Sequence, residues 1–227
     1  MTDFGPIKFM IESFMIPFLT FSYNVITPNY GIAIILLTIV IKILFYPLMN
    51  KQYASMKKMQ ELGPKMKELR NKHKSNPQQM QQETLKLYRE HDVNPLQGCL
   101  PMLLQIPFFI AIYATAMSPQ FLDLLAAPGA NPGLFSFWLS DLSLPDTSYV
   151  LPISLAIFTY FSQKLMMVDP QQKQLLYLSP ILILFFGFKL PSGVLLYWAT
   201  STVLSTLQQL QVNQANKQAA VDVIKTK

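Results

Sequence analysis

One lysine lies inside a long apolar segment, where a charge has a high energetic cost. Lys42 is part of the segment GIAIILLTIVIKILFYPLM. On insertion scales a lysine near the centre of a membrane helix costs about 2.5–3.5 kcal/mol, which roughly a dozen apolar neighbours can offset. Thr38 and Tyr46 stand four residues on either side of Lys42, on the same helical face. Polar side chains also interrupt two other apolar segments: Gln105 in one, and Tyr197, Trp198, Ser201 and Ser205 in the other.

These polar side chains are predicted to lie at similar depths in the membrane. Lys42 precedes Asn50 by eight residues and Gln105 follows Gln97 by eight, which is about 12 Å along a helix in each case. The shared depth predicts a hydrated, positively charged pocket that is open to the cytoplasm and closed to the outside. Two alternatives stay open: Lys42 snorkels toward the interface, and the hydroxyls serve helix packing.

The composition indicates a membrane protein without catalytic machinery. The chain has 227 residues, of which 51% are hydrophobic and 13% charged, whereas soluble domains carry about 25% charged residues. Its single cysteine, Cys99, and its two histidines, His73 and His91, form no metal-binding pattern. The sequence also lacks a phosphate-binding loop, a nucleophile elbow and a dinucleotide fingerprint. We therefore expect no enzyme activity, no catalytic residue, no metal and no cofactor.

Five apolar segments are candidates for helices that cross the bilayer. The first transmembrane helix is expected at residues 31–50 and the second at 96–117. Residues 149–212 are expected to hold the third, fourth and fifth, at about 149–167, 175–188 and 192–212. The sequence thus predicts an all-α polytopic membrane protein, with five transmembrane helices around a hydrophilic groove that opens to the cytoplasm.

The distribution of Lys and Arg predicts the orientation. Residues 51–95 hold ten of the eighteen Lys and Arg residues, whereas the loop 118–148 holds none and carries three aspartates. By the positive-inside rule the first of these segments is cytoplasmic and the second extracytoplasmic. The N-terminus is therefore expected outside and the tail 213–227 in the cytoplasm, in a multi-pass protein of the plasma (inner) membrane of a bacterium.

The first thirty residues are apolar and aromatic, but Lys8, Glu12 and Pro17 interrupt them. They lack the basic start and the small-residue cleavage site of a signal peptide. We expect residues 1–30 to form an amphipathic segment in the outer interface, with aromatic side chains at the level of the lipid headgroups. A sixth transmembrane helix and an uncleaved signal are the alternatives.

Residues 51–95 are predicted to form a cytoplasmic helical hairpin. Apolar residues recur there at helical spacing, Gly63-Pro64 should kink or briefly break the first helix, and Ser75-Asn76-Pro77 predicts a turn before the second. The basic hairpin either only enforces the orientation of the membrane helices or docks an anionic partner, such as lipid headgroups or ribosomal RNA. The sequence leaves both interpretations open.

Three segments resemble the YidC/Oxa family of membrane protein insertases. The run NYGIAIILLTIVIKILFYPLMNKQYASMKKMQELGPKMKELR is similar to the first conserved span and hairpin of that family. VNPLQGCLPMLLQIPFFIAIY is similar to its second core span, and FKLPSGVLLYW with the following QQLQVN is similar to its last. The resemblance extends over nearly the whole chain from residue 29 to about residue 213, in the order that the family has.

The resemblance implies five core helices around a hydrophilic groove, and insertion of small or weakly hydrophobic membrane proteins, alone or beside the Sec translocon. Lys42 falls where the family usually carries a groove arginine, and a lysine lacks the planar fork that pairs bidentately with a carboxylate. Thr38, Gln105, Tyr197 and Trp198 align with groove or client-contact positions. Many relatives have a further N-terminal anchor and a large periplasmic domain, so this chain is expected to be a short form or a core piece.

The expected partners are the lipid bilayer, nascent membrane protein clients and the Sec translocon, with the ribosome and the signal-recognition receptor at the hairpin and tail. One alternative function is a small solute transporter or channel that binds an anion in the groove, although the sequence shows no internal repeat of the kind that many transporters have. Another alternative is an assembly chaperone that holds membrane subunits together.

Overall fold

The computed structural model describes residues 5–94, 100–167 and 173–225, so Gln97 and Cys99 lie outside the described residues. The described residues form nine helices, if the first helix, which contains two π-helical turns, is counted as one. They also form one isolated β-bridge, between Phe135 and Trp138. The helices are α1 (Gly5–Ile26), α2 (Tyr30–Glu61), α3 (Gly63–Lys72), α4 (Pro77–Glu90), α5 (Leu100–Ala116), α6 (Pro119–Leu125), α7 (Val150–Met166), α8 (Lys173–Gly187) and α9 (Ser192–Lys225). The prediction of an all-helical fold is confirmed for these residues.

The main apolar core lies among α2, α5, α7 and α9. Ile34 and Leu37 of α2, Ile112 of α5, Leu155 of α7 and Leu195 of α9 are each exposed by 2% or less. α9 packs along α2 and α7, and α8 packs on α7. Many other large apolar side chains on the same helices are exposed. Helices that are apolar both inside and outside the bundle are typical of a protein whose solvent is lipid.

α2 extends well beyond residue 50, where the sequence analysis ends the first transmembrane helix. Its N-cap is Asn29, whose Oδ1 accepts a hydrogen bond from Ile32 N at 2.9 Å. Pro47 lies inside the helix without ending it. The helix continues to Glu61 because the next strong helix-breaking signal is Gly63-Pro64. The membrane segment and the first part of the hairpin are therefore one continuous helix.

The helical hairpin is present as α3 and α4. The break at Gly63-Pro64 and the turn before Pro77 lie where the sequence predicts them. Asn76 is the N-cap of α4, since its Oδ1 accepts a hydrogen bond from Gln79 N at 3.1 Å. A small apolar core joins the arms of the hairpin: Met59, Leu62, Met66, Tyr88 and Val93.

The loop between α6 and α7 covers one end of the bundle, which we call the loop end; the hairpin marks the opposite end, the hairpin end. Asn131 O and Gly133 O accept hydrogen bonds from the first two residues of α2, at 3.2 and 3.1 Å. Leu142 O and Leu144 O accept hydrogen bonds from the first two residues of α9, at 3.0 and 2.8 Å. These four bonds, which we call the loop seal, satisfy backbone donors that the start of a helix leaves without partners.

α1 lies across the loop end, with contacts near both of its own ends. Near its start, Lys8 lines a cavity together with Met117, just beyond the last residue of α5. Near its end, the ring of Tyr23 stacks on Tyr30 at the start of α2, with ring centroids 4.3 Å apart. By length and composition α1 could nevertheless cross a membrane. The interfacial position of this segment stays a prediction.

By length and composition, two helices of the described residues could cross a membrane, α1 and α2, and a third if α5 and α6 form one span bent by 58°. α7 and α8 are apolar but shorter. α9 is 34 residues long, but hydroxyl and amide side chains such as Ser201, Thr206 and Gln208 are buried along it and lower its hydropathy. The count of five transmembrane helices therefore stays a prediction. α6 is a helix that the sequence analysis leaves inside a loop, and Ser118 caps it.

Candidate functional site

Lys42 of α2 reaches α9 inside the bundle. Its Nζ donates a hydrogen bond to Ser205 Oγ at 2.7 Å. Lys42 lies twelve residues after the start of α2, about 18 Å along the helix from the loop end, and Ser205 lies thirteen residues after the start of α9. Among the described residues, no carboxylate lies within ion-pair distance of the ammonium. The partner of this cation is therefore a neutral hydroxyl.

Gln105 joins α5 to α9 through both ends of its side-chain amide. Its Nε2 donates a hydrogen bond to the Tyr197 hydroxyl oxygen at 2.8 Å, and its Oε1 accepts one from Ser201 Oγ at 3.3 Å. Tyr197, Ser201 and Ser205 follow one another at intervals of four residues, so they lie along one face of α9. Tyr197 is 1% exposed and Ser201 3% exposed, which places the amide in the interior of the bundle.

A cavity of about 60 Å³ lies beside these polar groups. Lys42, Gln105, Ser205 and Tyr53 contribute its polar lining. Apolar side chains of α2 and α5 form the remaining wall: Ile41, Phe45, Met49, Leu104 and Phe108. The cavity has room for a few water molecules. A whole helix, whose diameter with side chains is about 10–12 Å, does not fit.

Of the eight predicted site residues, Lys42, Gln105 and Ser205 line this cavity, and Tyr197 and Ser201 join them through hydrogen bonds to Gln105. The other three, Thr38, Tyr46 and Trp198, do neither. Thr38 is fully buried, and its hydroxyl donates to a carbonyl of its own helix at 2.7 Å. Tyr46 is 43% exposed, with its hydroxyl 3.5 Å from an amide oxygen on α9. The ring of Trp198 packs edge-to-face on Phe109, with centroids 5.2 Å apart. The structure thus brings five of the eight predicted residues together.

Sequence analysis missed two residues of this region, Tyr53 and Gln208. Tyr53 is 2% exposed and lines the same cavity as Lys42. Gln208 Nε2 donates to a backbone carbonyl of α2 at 3.0 Å and to Asn50 Oδ1 at 2.6 Å. Helical spacing is the signal that could have found both. Tyr53 is eleven residues, or about three turns, beyond Lys42, and Gln208 is nearly one turn beyond Ser205.

Two buried glutamines extend the polar region toward the hairpin end. Gln52 is 3% exposed and Gln209 is 2% exposed. Neither amide atom of Gln52 has a hydrogen-bond partner among the described residues, and the same holds for Oε1 of Gln209. Buried polar atoms are nearly always hydrogen-bonded to protein or to ordered water, so these three atoms are candidates for contact with water. In the described part of the chain, no group of three or more His, Cys, Asp or Glu side chains could hold a metal ion.

Comparison with known proteins shows relatives over most of the chain. The sequence model of the family described as 60Kd inner membrane protein matches residues 21–219. Membrane protein insertase YidC of Geobacter sulfurreducens is 41% identical over 191 residues, which cover 83% of this chain and 34% of that protein. The protein of the same name from Helicobacter pylori is 40% identical over 215 residues, which cover 93% of this chain and 38% of that protein. The chain thus spans about a third of the length of the curated relatives it matches.

A solved structure has the same fold. A crystal structure of an active YidC insertase, with its first transmembrane domain resolved, matches with a TM-score of 0.69 and 29% identity, over 85% of this chain and 44% of that chain. The family description and the apolar helices support a protein of the bacterial inner membrane. The resemblance found in three sequence segments is therefore confirmed, and the chain belongs to the YidC/Oxa family.

Proposed function

We propose that this protein inserts newly made membrane proteins into the bilayer and assists their folding, the activity that gives its relatives their name. The observation that carries the proposal is the environment of Lys42. Its ammonium lies inside the bundle, and its partner is the neutral hydroxyl of Ser205 at 2.7 Å. The positive charge is therefore available to an anionic group of a client.

The physical role of this charge is to lower the cost of moving an acidic segment through lipid. That cost arises because the backbone and the charges of the segment lose water. A unit charge 4 Å from an opposite unit charge is stabilised by about 4 kcal/mol at an effective dielectric constant of 20. Lys42 supplies such a counter-charge part of the way across the membrane, while the apolar helix of the client moves sideways into lipid. This mechanism requires neither nucleotide hydrolysis nor a catalytic residue.

Hydration of the polar region is the second part of the proposal. The cavity beside Lys42 and Gln105 has room for a few water molecules. Three buried amide atoms of Gln52 and Gln209, nearer the hairpin end, have no protein partner among the described residues, which supports access of water to this region. Because the cavity is narrow, we propose that a single acidic side chain of the client enters it, rather than a whole helix.

The orientation that fits this mechanism has the hairpin end in the cytoplasm and the loop end outside. The basic residues of the hairpin support this orientation through the positive-inside rule. The loop seal supports a bundle that is closed at the outer side. Both ends of α1 contact the loop end of the bundle. This supports a helix that lies in the outer interface, because a helix that spans the membrane would reach the hairpin end.

The partners of the proposed activity are nascent clients, the lipid bilayer and the Sec translocon. The hairpin is the proposed dock for the ribosome and the signal-recognition receptor. Met59 and Met66 are buried in its small core, so its accessible surface is largely polar and basic. Such a surface suits an anionic partner more than an apolar segment.

Proteoliposomes that contain only this protein test the proposal. Two clients are compared, one with an acidic translocated segment and one in which Asn and Gln replace the acids, and protease protection measures insertion. We expect the wild type and Lys42→Arg to insert both clients. We expect Lys42→Met to insert the acidic client at least about tenfold more slowly, because a loss of about 1.4 kcal/mol changes a rate tenfold. The neutral client should be unaffected.

Lys189→Met is the matched control, because Lys189 lies over the ring of Phe185 near the loop end and is remote from the cavity. Equal rates for the wild type and a folded Lys42→Met variant on the acidic client would contradict the role of the charge. Failure of the wild type on both clients would contradict insertion by this protein alone, and the same assay with the Sec translocon added would then test the partnership.

A further inference from the structure

A second cavity lies between α1 and the loop end of α5, away from Lys42. Its volume is about 480 Å³, within the range of about 300–1,000 Å³ that small-ligand sites have. Ile11 of α1 and the α5 residues Ile110 and Ala114 form an apolar floor. This cavity shares no lining residue with the one beside Lys42. It is therefore a separate candidate site.

The rim of this cavity carries one cation and one anion, both from α1. Lys8 Nζ and Glu12 Oε1 are 4.0 Å apart, and their side chains are 55% and 48% exposed. Exposed pairs of this kind contribute little to stability, so Lys8 and Glu12 can each leave the other for a partner that binds more strongly. Tyr113 and Gln120 add a hydroxyl and an amide to the same lining.

We propose that this cavity binds one phospholipid with a zwitterionic headgroup that bears an ammonium, of the phosphatidylethanolamine type. The phosphate contacts Lys8 and the ammonium contacts Glu12, so that both charges of the rim and both charges of the headgroup are paired. Phosphatidylglycerol brings the same phosphate without the cation, which leaves Glu12 beside an anion. The Glu12 carboxylate and the Lys8 ammonium together therefore select the zwitterionic lipid over the anionic one.

The position of the cavity fits a lipid better than a soluble ligand. The loop end is the end that we place at the outer interface, where headgroups and aromatic side chains share one layer. Met117, which lines the cavity, is 51% exposed, so the apolar lining includes accessible surface that suits an acyl chain. A lipid held there fastens α1 to α5, the helix that carries Gln105. The inference depends on the placement of the loop end and not on insertion activity.

Native mass spectrometry of the detergent-purified protein tests this site. The probes are phosphatidylethanolamine and phosphatidylglycerol with identical acyl chains, added in equal amounts. For the wild type we expect phosphatidylethanolamine to be retained about fivefold more, which corresponds to one exposed charge pair of about 1 kcal/mol. Glu12→Gln should abolish the preference, and Lys8→Gln should weaken the retention of both lipids. Lys189→Gln, a change of another lysine near the loop end, should alter neither.

Each remaining outcome counts against the site. Equal retention of the two lipids by the wild type, or an unchanged preference in Glu12→Gln, overturns the proposal. Soluble glycerophosphoethanolamine is added as a competitor at the concentration of the lipid. If it displaces the bound lipid, the headgroup alone is the ligand and the lipid assignment is wrong. Because Lys8 and Glu12 are half exposed, their substitution leaves the buried core of the protein intact.

Discussion

The side chains of Gln105 on α5 and Tyr197 on α9, 92 residues apart in the sequence, form a 2.8 Å hydrogen bond in the interior of the bundle. Ser201 extends this contact by donating to the opposite end of the same amide at 3.3 Å. α5 is thus tied to α9 by a polar contact as well as by packing. The contribution of this contact to the free energy of unfolding can be measured.

A double-mutant cycle measures this contact. We expect Gln105→Leu and Tyr197→Phe each to lower the free energy of unfolding by about 1–2 kcal/mol, because each leaves a buried polar group without a partner. The double variant should be more stable than the sum of the two losses predicts, by about 1 kcal/mol. Unfolding in detergent, followed by circular dichroism, provides the four values. Strict additivity would show that the two side chains do not interact.

Removal of the Ser205 hydroxyl should destabilise the protein more than its size suggests. Ser205→Ala takes away the partner of the Lys42 ammonium, and hydrogen bonds to charged groups contribute about 1.5–3 kcal/mol. Ser205→Thr keeps a hydroxyl and is the matched control. Thermal unfolding of the three proteins checks the prediction. If Ser205→Ala is as stable as Ser205→Thr, water replaces the hydroxyl without cost.

Gly133 should tolerate no side chain, because a Cβ at this position would overlap the carbonyl oxygens of Leu139 and Ser140. Gly133→Ala must shift the loop whose carbonyls bind the starts of α2 and α9, and overpacking of this kind costs about 1–3 kcal/mol. A lower unfolding temperature is the expected result. Gly5→Ala is the control, since no atom lies within 4 Å of a Cβ built there. Equal unfolding temperatures for the two variants would show that the loop seal can move freely.

The cap of α4 should stabilise the hairpin locally. Asn76→Ala removes the side-chain oxygen that accepts from Gln79 N, and loss of an N-cap costs about 1 kcal/mol. We expect faster amide hydrogen exchange in α4 and unchanged exchange in α7, which lies in the main core. Gln79→Ala keeps the backbone donor and should exchange like the wild type. Uniform protection across the three proteins would contradict the role of the cap.

The stability of the hairpin should fall at alkaline pH. Burial raises the pKa of the Tyr88 phenol, and the positive charge of Arg70 acts in the opposite direction. A raised pKa in the folded state means that the stabilisation is present below the ordinary value of about 10 and is lost as the pH rises through the folded pKa. Protease cleavage in the hairpin should therefore accelerate above about pH 10.

Tyr88→Phe keeps the apolar contacts of the ring and removes the ionisable group. We expect this variant to be cleaved at the same rate as the wild type at pH 8 and to show a smaller rise at pH 11. If both proteins respond alike to alkaline pH, another group causes the opening.

The breaks of the hairpin could be predicted because their signals are local. Gly63-Pro64 and Asn76-Pro77 restrict the backbone through their own neighbours, whatever the rest of the chain does. The similar depth of Lys42, Gln105 and Ser205 could be predicted for a related reason: depth along a helix follows from residue counting.

The contacts between distant segments could not be predicted in the same way. The partner of Lys42 depends on how α2 and α9 are rotated against each other, and the apolar periodicity of a membrane helix does not determine that rotation, since lipid-facing and core-facing sides are both apolar. Thr38 shows the consequence: it lies one turn from Lys42, yet its hydroxyl binds its own helix. The path of α1 across the loop end depends likewise on contacts such as that of Tyr23 with Tyr30.

The continuity of α2 has a mechanical consequence. A helix of 32 residues is about 48 Å long, and no break separates Lys42 from the start of the hairpin at Lys51. The loop seal holds the first residues of α2, so the helix can pivot about that end as a stiff rod. A force that pulls the hairpin sideways then tilts the helix, and the displacement at Lys42 is smaller than that at Lys51 because Lys42 lies closer to the loop seal. Such a tilt shifts the Lys42 ammonium relative to the Ser205 hydroxyl.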